Sequence, residues 1–306
     1  MATETLAAGR PGWWMRWREE NASQLDEWRR GMYRFRQSRL SVIGLVAILF
    51  LVVVALTGPY WVPYPDDATG AVHAADRTKP PSVEHLFGTD EVGRDIFTRV
   101  VLATQTSFKA GIIILVVAIS IGVPLGSIAG YFGGRVSEII MRVTDMWLTV
   151  PGIFLALSIT AALGPGVLNA MIALSVTWWP GYCRLVQAQV LSAREEDYVQ
   201  AARSMGASRR RIIFKHILPN IISSIVIKAS LDIGFAILNL AALGFIGVGA
   251  QPPLPEWGAM IATGRRFLPQ YWWYSTFPGL AMFLTVFGFN MLGDGLRDVF
   301  DPRSRR

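Results

Sequence analysis

Apolar residues fall into six long stretches along this chain, and the segments between them carry most of the charges. The stretches are 41–57, 111–131, 146–163, 167–190, 221–248 and 272–292. A helix that crosses the hydrocarbon core of a bilayer needs about 20 residues that are mostly uncharged. The pattern therefore predicts an all-α integral membrane protein with six transmembrane helices.

Composition supports this prediction, and the distribution of charge gives an orientation. The 306 residues are 52% hydrophobic and only 17% charged, which leaves too little charge to cover a soluble domain of this length. Most of the 29 Lys and Arg residues lie in 1–40, 132–145, 191–220 and 293–306. Because Lys and Arg are enriched in cytoplasmic loops, this bias predicts that both termini are cytoplasmic. The net charge of +7 then reflects membrane orientation, and we expect no binding of nucleic acid.

Residue types that perform catalysis or bind metals are scarce. Cys183 is the one cysteine, and the three histidines, His73, His85 and His216, are far apart in the sequence. No Gly-Lys dipeptide occurs, so the phosphate-binding loop of nucleotide triphosphatases is absent. The hydrolase motifs Gly-x-Ser-x-Gly and His-Glu-x-x-His are absent as well. We therefore expect no metal, no cofactor and no catalytic residue in this chain.

The stretches divide the chain into five parts. These are an N-terminal cytoplasmic segment (1–40), the first transmembrane helix (41–60), an external loop (61–103), a core with the other five spans (104–293) and a cytoplasmic tail (294–306). We expect the proline-rich external loop to be ordered, with a short helix that begins near Thr89 or Asp90 and ends near Leu102.

Two of these parts have a distinctive pattern. The N-terminal segment alternates arginines with tryptophans, which is typical of a segment at the membrane surface and equally compatible with a disordered basic tail. The tryptophans are Trp13, Trp14, Trp17 and Trp28. In the second apolar stretch, glycines recur every fourth residue, which predicts a ridge where a neighbouring helix packs closely. They are Gly122, Gly126, Gly130 and Gly134.

A polar segment of thirty residues, 191–220, separates the fourth and fifth apolar stretches. Acidic residues at 195–197 predict the start of a helix, and Gly206 predicts its end. A second helix over 208–218 leads to Pro219, where the fifth span begins. A simple connection between two spans needs far fewer ordered residues, so this segment favours a docking surface for another protein.

The segment resembles the cytoplasmic signature of binding-protein-dependent ABC permeases, which runs Glu-Ala-Ala, three residues, Gly, and later Leu-Pro. The matching positions here are Gln200, Ala201, Ala202, Gly206, Leu218 and Pro219. Gln200 replaces the usual Glu, which removes a charge, and His216 stands at a position often held by Ile. Residues 85–95, 242–258 and 293–302 are similar to the dipeptide/oligopeptide branch of the family, and 242–258 is similar to the C-type subunit of dipeptide permeases.

This resemblance implies a type I ABC importer permease fold in the inner (cytoplasmic) membrane of a bacterium. It implies a complex that imports dipeptides or short peptides, in which this chain, surrounded by membrane lipid, has several partners. They are a paralogous second permease, two ABC ATPases that bind ATP and Mg, and an extracytoplasmic substrate-binding protein. Residues 191–220 would supply the coupling helix for one ATPase. Nickel chelates and haem, which close relatives carry, stay open as alternative ligands.

Polar or large aromatic residues inside the predicted spans are candidates for lining the translocation path. They are Lys228, Asp232, Asn239, Asn290 and Trp178. Lys228 and Asp232 share one helix face, as a subsite for charged peptide ends or as a self-neutralising pair. The two asparagines need partners in lipid, which predicts interhelical hydrogen bonds or a place in a cavity wall. Trp178 either lines that cavity or packs against a neighbouring span.

The segment 251–257, between the fifth and sixth apolar stretches, contains three prolines. In 251–257 we predict an external gate or a contact with the binding protein, although a rigid turn is the plainer account. Its candidate residues are Gln251, Pro253, Glu256 and Trp257. A secondary transporter or channel that works alone would instead show inverted repeats and midplane carboxylates. No repeat is evident, and Asp232 is the one acidic residue in the six stretches.

Overall fold

The structure, a computed structural model, describes residues 22–300, and this part of the chain is helical without a β-strand. The helices are α1 (Ala22–Gln37), α2 (Arg39–Thr57), α3 (Ile96–Phe132), α4 (Gly134–Thr149), α5 (Gly152–Leu163), α6 (Val167–Ala193), α7 (Asp197–Ser204), α8 (Arg209–Ile246), α9 (Trp257–Gly264) and α10 (Trp273–Phe300). The predictions on Trp13, Trp14 and Trp17, and on the side chain of Trp28, lie outside what is described.

Four helices, α2, α3, α8 and α10, are long and apolar enough to cross a membrane. The pair α4 and α5 makes a fifth span if it is counted as one, but its axis bends by 83°. The break falls at Val150 and Pro151, because proline removes a helical hydrogen bond and disfavours helix for the residue before it. The predicted third span, 146–163, is therefore not one straight helix.

α6 has the length of a span, but it is more polar than the other four helices. Arg184, Gln187 and Gln189 all lie in its second half. By length and composition, the described residues thus contain four or five candidate spans, and the predicted count of six stays a prediction.

α3 begins well before the second apolar stretch. The carboxylate of Asp95 caps it by accepting a hydrogen bond from the backbone N–H of Thr98 at 2.7 Å. From there the helix continues for 37 residues to Phe132. The prediction of a short external helix that ends near Leu102 is therefore wrong. An apolar stretch indicates which residues lie in the membrane, but the helix that contains it can begin well before the stretch.

The packing of α3 on α6 confirms three positions of the predicted glycine ridge. A Cβ added to Gly122 or Gly130 would lie 2.5 or 2.7 Å from a carbonyl oxygen of α6, and Gly126 is equally close to that backbone. Only a residue without a side chain fits there. Gly134 lies beyond the end of α3 with nothing within 4 Å of such a Cβ, so it is not part of the ridge.

α10 packs against two other long helices, α2 and α8. It packs on α2, where Gly288 fits against Ile48, and on α8, where Gly293 fits against Leu231. Many large apolar side chains face outward, among them Leu49 and Phe50 on α2. An outward apolar surface of this kind is expected of helices whose solvent is lipid.

Candidate functional sites

The segment between α2 and α3, residues 58–95, forms a compact cap that is built on buried carboxylates. Asp67 accepts hydrogen bonds from the backbone N–H of Asp95 at 2.6 Å and pairs with His73 Nε2 at 2.8 Å. Asp95 pairs in turn with Nδ1 of the buried His85 at 3.0 Å. These bonds join parts of the cap that lie up to 28 residues apart in sequence, and they satisfy the buried oxygens.

A third buried carboxylate in the cap orients two arginines. Asp90 accepts from Arg94 Nε at 2.6 Å and from the backbone N–H of Arg94 at 2.9 Å. The guanidinium of Arg99 lies 3.8 Å from the same carboxylate. Arg99 also donates to the carbonyl oxygens of Asp67 at 2.7 Å and of Pro253 at 3.2 Å. The turn before α9 is thereby joined to the cap.

Two of the four residues predicted as external contacts in this turn face the interior. The side chain of Glu256 is buried, and it caps α9 by accepting from the N–H groups of Gly258 at 2.8 Å and Ala259 at 2.9 Å. Burial opposes its negative charge more than these bonds favour it, and raises the pKa of Glu256 to about 7. Trp257 is buried too and donates to the carbonyl oxygen of Val100 at 3.1 Å.

The other two residues remain on the surface. Gln251 donates to the carbonyl oxygens of Gly247 and Gly249, both at 3.1 Å, and Pro253 is exposed beside it. Burial leaves Glu256 and Trp257 without an outward face, so of the four predicted residues only Gln251 and Pro253 can take part in an external contact.

Residues 194–217, which we name the connector, link α6 to the membrane part of α8. The predicted first helix is α7, and Gly206 ends it with a φ of +79°, a left-handed conformation that favours glycine. The predicted second helix does not end at Leu218. It continues as α8 through a π-helical turn at Ile212–Ile217. Pro219 follows in the first turn of the α-helical part, where a missing backbone N–H is tolerated.

Gln200, the residue that departs from the family signature, closes the connector on itself. Its amide Nε2 donates to the carbonyl oxygen of Arg194 at 3.2 Å. The guanidinium of Arg194 reaches the last turn of α3, where it donates to the carbonyl oxygen of Gly130 at 3.2 Å. An amide can make the first bond and a carboxylate cannot, because only the amide carries a donor.

α7 has an inner and an outer apolar face. Val199 and Ala202 are buried against the start of α8. Tyr198, Ala201 and Met205 share a neighbouring face that is exposed, and Met205 is 81% exposed. Met205 was not among the residues predicted from the sequence, although a large apolar residue between charged ones, directly before Gly206, was a signal that pointed to it. Among the predicted coupling residues, Ala201, Gly206 and Pro219 are exposed, Gln200 is half-buried and Ala202 is buried.

A groove of about 450 Å³ lies between the connector and the end of α3. Arg209 forms one wall, and its guanidinium lies 5.5 Å from the centre of the Phe132 ring. The full lining is Tyr131, Phe132, Arg203, Ala207, Arg209 and Ile212, which gives the groove a basic and aromatic character.

The predicted path residues have different surroundings. Lys228 Nζ lies 2.9 Å from Asp232 Oδ2, and both side chains are partly exposed. Asn239 and Asn290 each donate to a carbonyl oxygen four residues earlier in their own helix, at 2.8 Å, so the predicted interhelical hydrogen bonds are not formed by these amide donors. Trp178 is half-buried and packs against two core clusters of the bundle.

Comparisons with known proteins identify two family profiles and several relatives that match the chain. Residues 122–306 match the sequence profile of the family described as "binding-protein-dependent transport system inner membrane component", and residues 27–81 match the "N-terminal TM domain of oligopeptide transport permease C". The chain is 45% identical to the probable D,D-dipeptide transport system permease protein DdpC of Escherichia coli (strain K12), over 89% of this chain and 91% of that protein.

Two further similarities extend the comparison. The chain is 41% identical to the dipeptide transport system permease protein DppC of Alkalihalophilus pseudofirmus, over 94% of this chain and 93% of that protein. Among solved structures, an inward-facing conformation of the MetNI methionine ABC transporter has the same fold. The match has a TM-score of 0.55 and 19% identity, and covers 67% of this chain and 98% of that one.

Proposed function

This chain belongs to the binding-protein-dependent transport system inner membrane components, and we propose that it is the C-type permease subunit of a dipeptide importer. It is a multi-pass protein of the inner membrane and a permease of the ABC importer class for peptides. One observation carries the narrower assignment to dipeptides: the identity of 45% and 41% with two dipeptide permeases over most of the chain.

In this proposal the connector is the element through which ATP hydrolysis acts. The outward apolar face of α7, with Tyr198, Ala201 and Met205, supports it, since an apolar helix face outside the membrane needs a protein partner to cover it. The chain contributes conformational change and no catalytic group. ATP and Mg bind to the partner ATPases, and closure of those subunits moves the connector.

The stoichiometry and the topology follow the same proposal. Two ATPases and one paralogous permease complete the membrane complex, and an extracytoplasmic binding protein delivers the peptide. Six spans with cytoplasmic termini place the connector and the cap on opposite faces of the membrane. The exposed residues Gln251 and Pro253 then face the binding protein, beside a cap whose buried carboxylates are already paired.

The experiment is a co-purification in mild detergent, with the tagged chain expressed together with its partner subunits. The variant Met205→Glu places a charge on the outward face of α7, and Val83→Glu is its matched control, since Val83 is 96% exposed and lies in the cap. We expect the wild type and V83E to retain the ATPases and ATP hydrolysis. We expect M205E to reach the membrane in normal amount and to lose both.

Two results would contradict the proposal. If M205E and V83E retain the ATPases equally, the connector is not the docking element. If the purified chain alone moves peptides across liposome membranes without any ATPase, the protein is a secondary transporter and the class is wrong.

A further inference from the structure

The ion pair of Lys228 and Asp232 lies at a place where a purely structural ion pair gains little. Lys228 is nine residues beyond Pro219 in α8, about 13 Å deeper along the helix axis. Taking two charges out of water costs several kcal/mol per ion, and two well-packed apolar residues often serve stability equally well. Ionisable residues inside a span therefore point first to a function.

Helix α6 packs against the ammonium group of Lys228. Lys228 Nζ lies 5.1 Å from the centre of the ring of Tyr182, which is fully buried. At Gly181, an added Cβ would already touch the end of the Lys228 side chain, at 3.7 and 3.8 Å. The ammonium group of Lys228 thus lies over the ring of Tyr182 and beside Gly181, both on α6. The pair remains accessible, because Lys228 is 33% and Asp232 is 15% exposed.

The accessible side of the pair has the polarity of an aqueous path. Arg184, one turn of α6 away from Gly181, forms an ion pair with Asp145 of α4, and both side chains are more than half exposed. On α8, Ser224 and Asn239 lie on the same side of the helix as Lys228 and Asp232. Lipid does not solvate such a concentration of charges, whereas a water-filled cavity does.

We propose that Lys228 and Asp232 form a subsite on the transport path that binds the two charged ends of a short peptide. This inference rests on the proposed function as a peptide permease, and it narrows the cargo to zwitterions with both termini free. The peptide carboxylate replaces Asp232 as the partner of Lys228, and the peptide ammonium replaces Lys228 as the partner of Asp232.

The dimensions of the pair fit a dipeptide. Residues four apart on a helix have Cβ atoms about 5–6 Å apart, and an extended dipeptide spans about 7 Å. The two flexible side chains can therefore separate and take the two ends of the peptide between them. No charge is left unpaired at any stage, because the lysine and the aspartate pair with each other again when the peptide leaves.

The experiment measures peptide binding by calorimetry to the purified complex of this chain, its partner permease and the ATPases, without the binding protein. The ligands are a free dipeptide, its N-acetyl derivative and its C-terminal amide. We expect the wild type to bind either blocked peptide at least tenfold more weakly. Lys228→Gln should bind the amide as well as the free peptide, and Asp232→Asn should bind the N-acetyl form as well as the free peptide.

Such crossed selectivity separates the subsite from a structural pair. Arg142→Gln with Glu138→Gln is the control, because this pair on α4 has the same spacing but is exposed, and it should keep the wild-type preferences. A wild type without preference for free ends, or variants that all discriminate alike, would overturn the proposal. If one variant fails to assemble, the other still decides, since each reports on its own end of the peptide.

The same preparations keep this inference distinct from the proposed function. ATP hydrolysis and retention of the partner subunits test whether the chain is an importer permease at all. If the complex assembles and hydrolyses ATP but binds free and blocked peptides equally well, the permease assignment stands. Only the proposed subsite is then contradicted.

Discussion

The cap and the connector use charged residues in opposite ways. In the cap, Asp67, Asp90 and Asp95 are buried, and each accepts hydrogen bonds from the cap itself or, for Asp95, also from the first turn of α3. In the connector, several basic side chains are exposed and make no ion pair with any side chain that the structure describes. They are Arg203, Arg209, Arg210, Arg211 and Lys215.

The difference separates a region that holds its own shape from one that offers its groups to something else. Buried charges satisfied within a segment fix its geometry, and removing one partner leaves the other uncompensated. Exposed charges contribute little to stability on their own, so they are available for a partner. Substitutions in the cap should therefore change stability, and substitutions on the connector surface should change association.

The largest expected effect is the loss of a carboxylate in the cap. Asp90→Ala leaves the buried Arg94 without its nearest charged partner, since only Glu91 remains, at 3.8 Å, and Arg99 lies close by. We expect the free energy of unfolding to fall by about 3–5 kcal/mol. The control is Asp66→Ala, because Asp66 is exposed in the same segment. Thermal melting of the purified protein checks both. Equal melting temperatures would show that the buried network does not stabilise the cap.

A somewhat smaller effect is expected from pH, at the turn that packs on the cap. Since the pKa of Glu256 is raised to about 7 in the fold, the folded state holds a proton that the unfolded state has lost. Stability should therefore fall as pH rises from about 4.5 to about 7, by about 3 kcal/mol in all. Melting curves from pH 5 to 8 measure this slope. Glu256→Gln should flatten it, and an unchanged slope in that variant would assign it to other groups.

The third effect in order of size is expected at two neighbouring alanines of α7, one buried and one exposed. Ala202 is buried, so Ala202→Phe should overpack the contact with α8 and destabilise the protein by about 1–3 kcal/mol. Ala201 is exposed, so Ala201→Phe should leave the melting temperature unchanged and weaken association with the ATPase at least tenfold. Melting and co-purification measure the two effects. If both variants lose stability alike, the outward face of α7 is not free for a partner.

The smallest effect is expected at the departure from the family signature. Gln200→Glu replaces the amide donor by an acceptor, so the bond to the carbonyl of Arg194 is lost, with a local cost of about 0.5–1.5 kcal/mol. Hydrogen exchange of the backbone amides in 194–205 should become faster. Gln270→Glu, at an exposed position outside the connector, should leave that exchange unchanged. Unchanged exchange in Gln200→Glu would mean that this bond does not hold the connector.

Local patterns were enough to predict the helical membrane fold, the three glycines that pack on α6 and the end of α7 at Gly206. Each depends on residues close together in sequence, such as a spacing of four or a single left-handed glycine. The partners of Asp67 and Arg99 were not predictable in this way. They are paired by the tertiary fold across 28 and 154 residues, for which no local period exists.

The burial and the partners of single polar residues were also not predictable from the sequence. Glu256 looks like a surface residue in a proline-rich turn, yet its carboxylate caps α9 inside the protein. In the same way, Asn239 and Asn290 find acceptors in their own helices, an option that the composition of a span does not reveal. The bend at Val150 and Pro151 was in principle visible, because a proline stood inside the predicted span.

The uninterrupted course of α8 has a mechanical consequence. Its 38 residues form a rod about 57 Å long, with Arg209 in the connector at one end and Ile246 at the other. A tilt of only about 5° about one end would displace the opposite end by roughly 5 Å, close to one helical pitch. A small angular step at one face of the membrane can thus become a large linear step at the other, with no intervening relay of side chains.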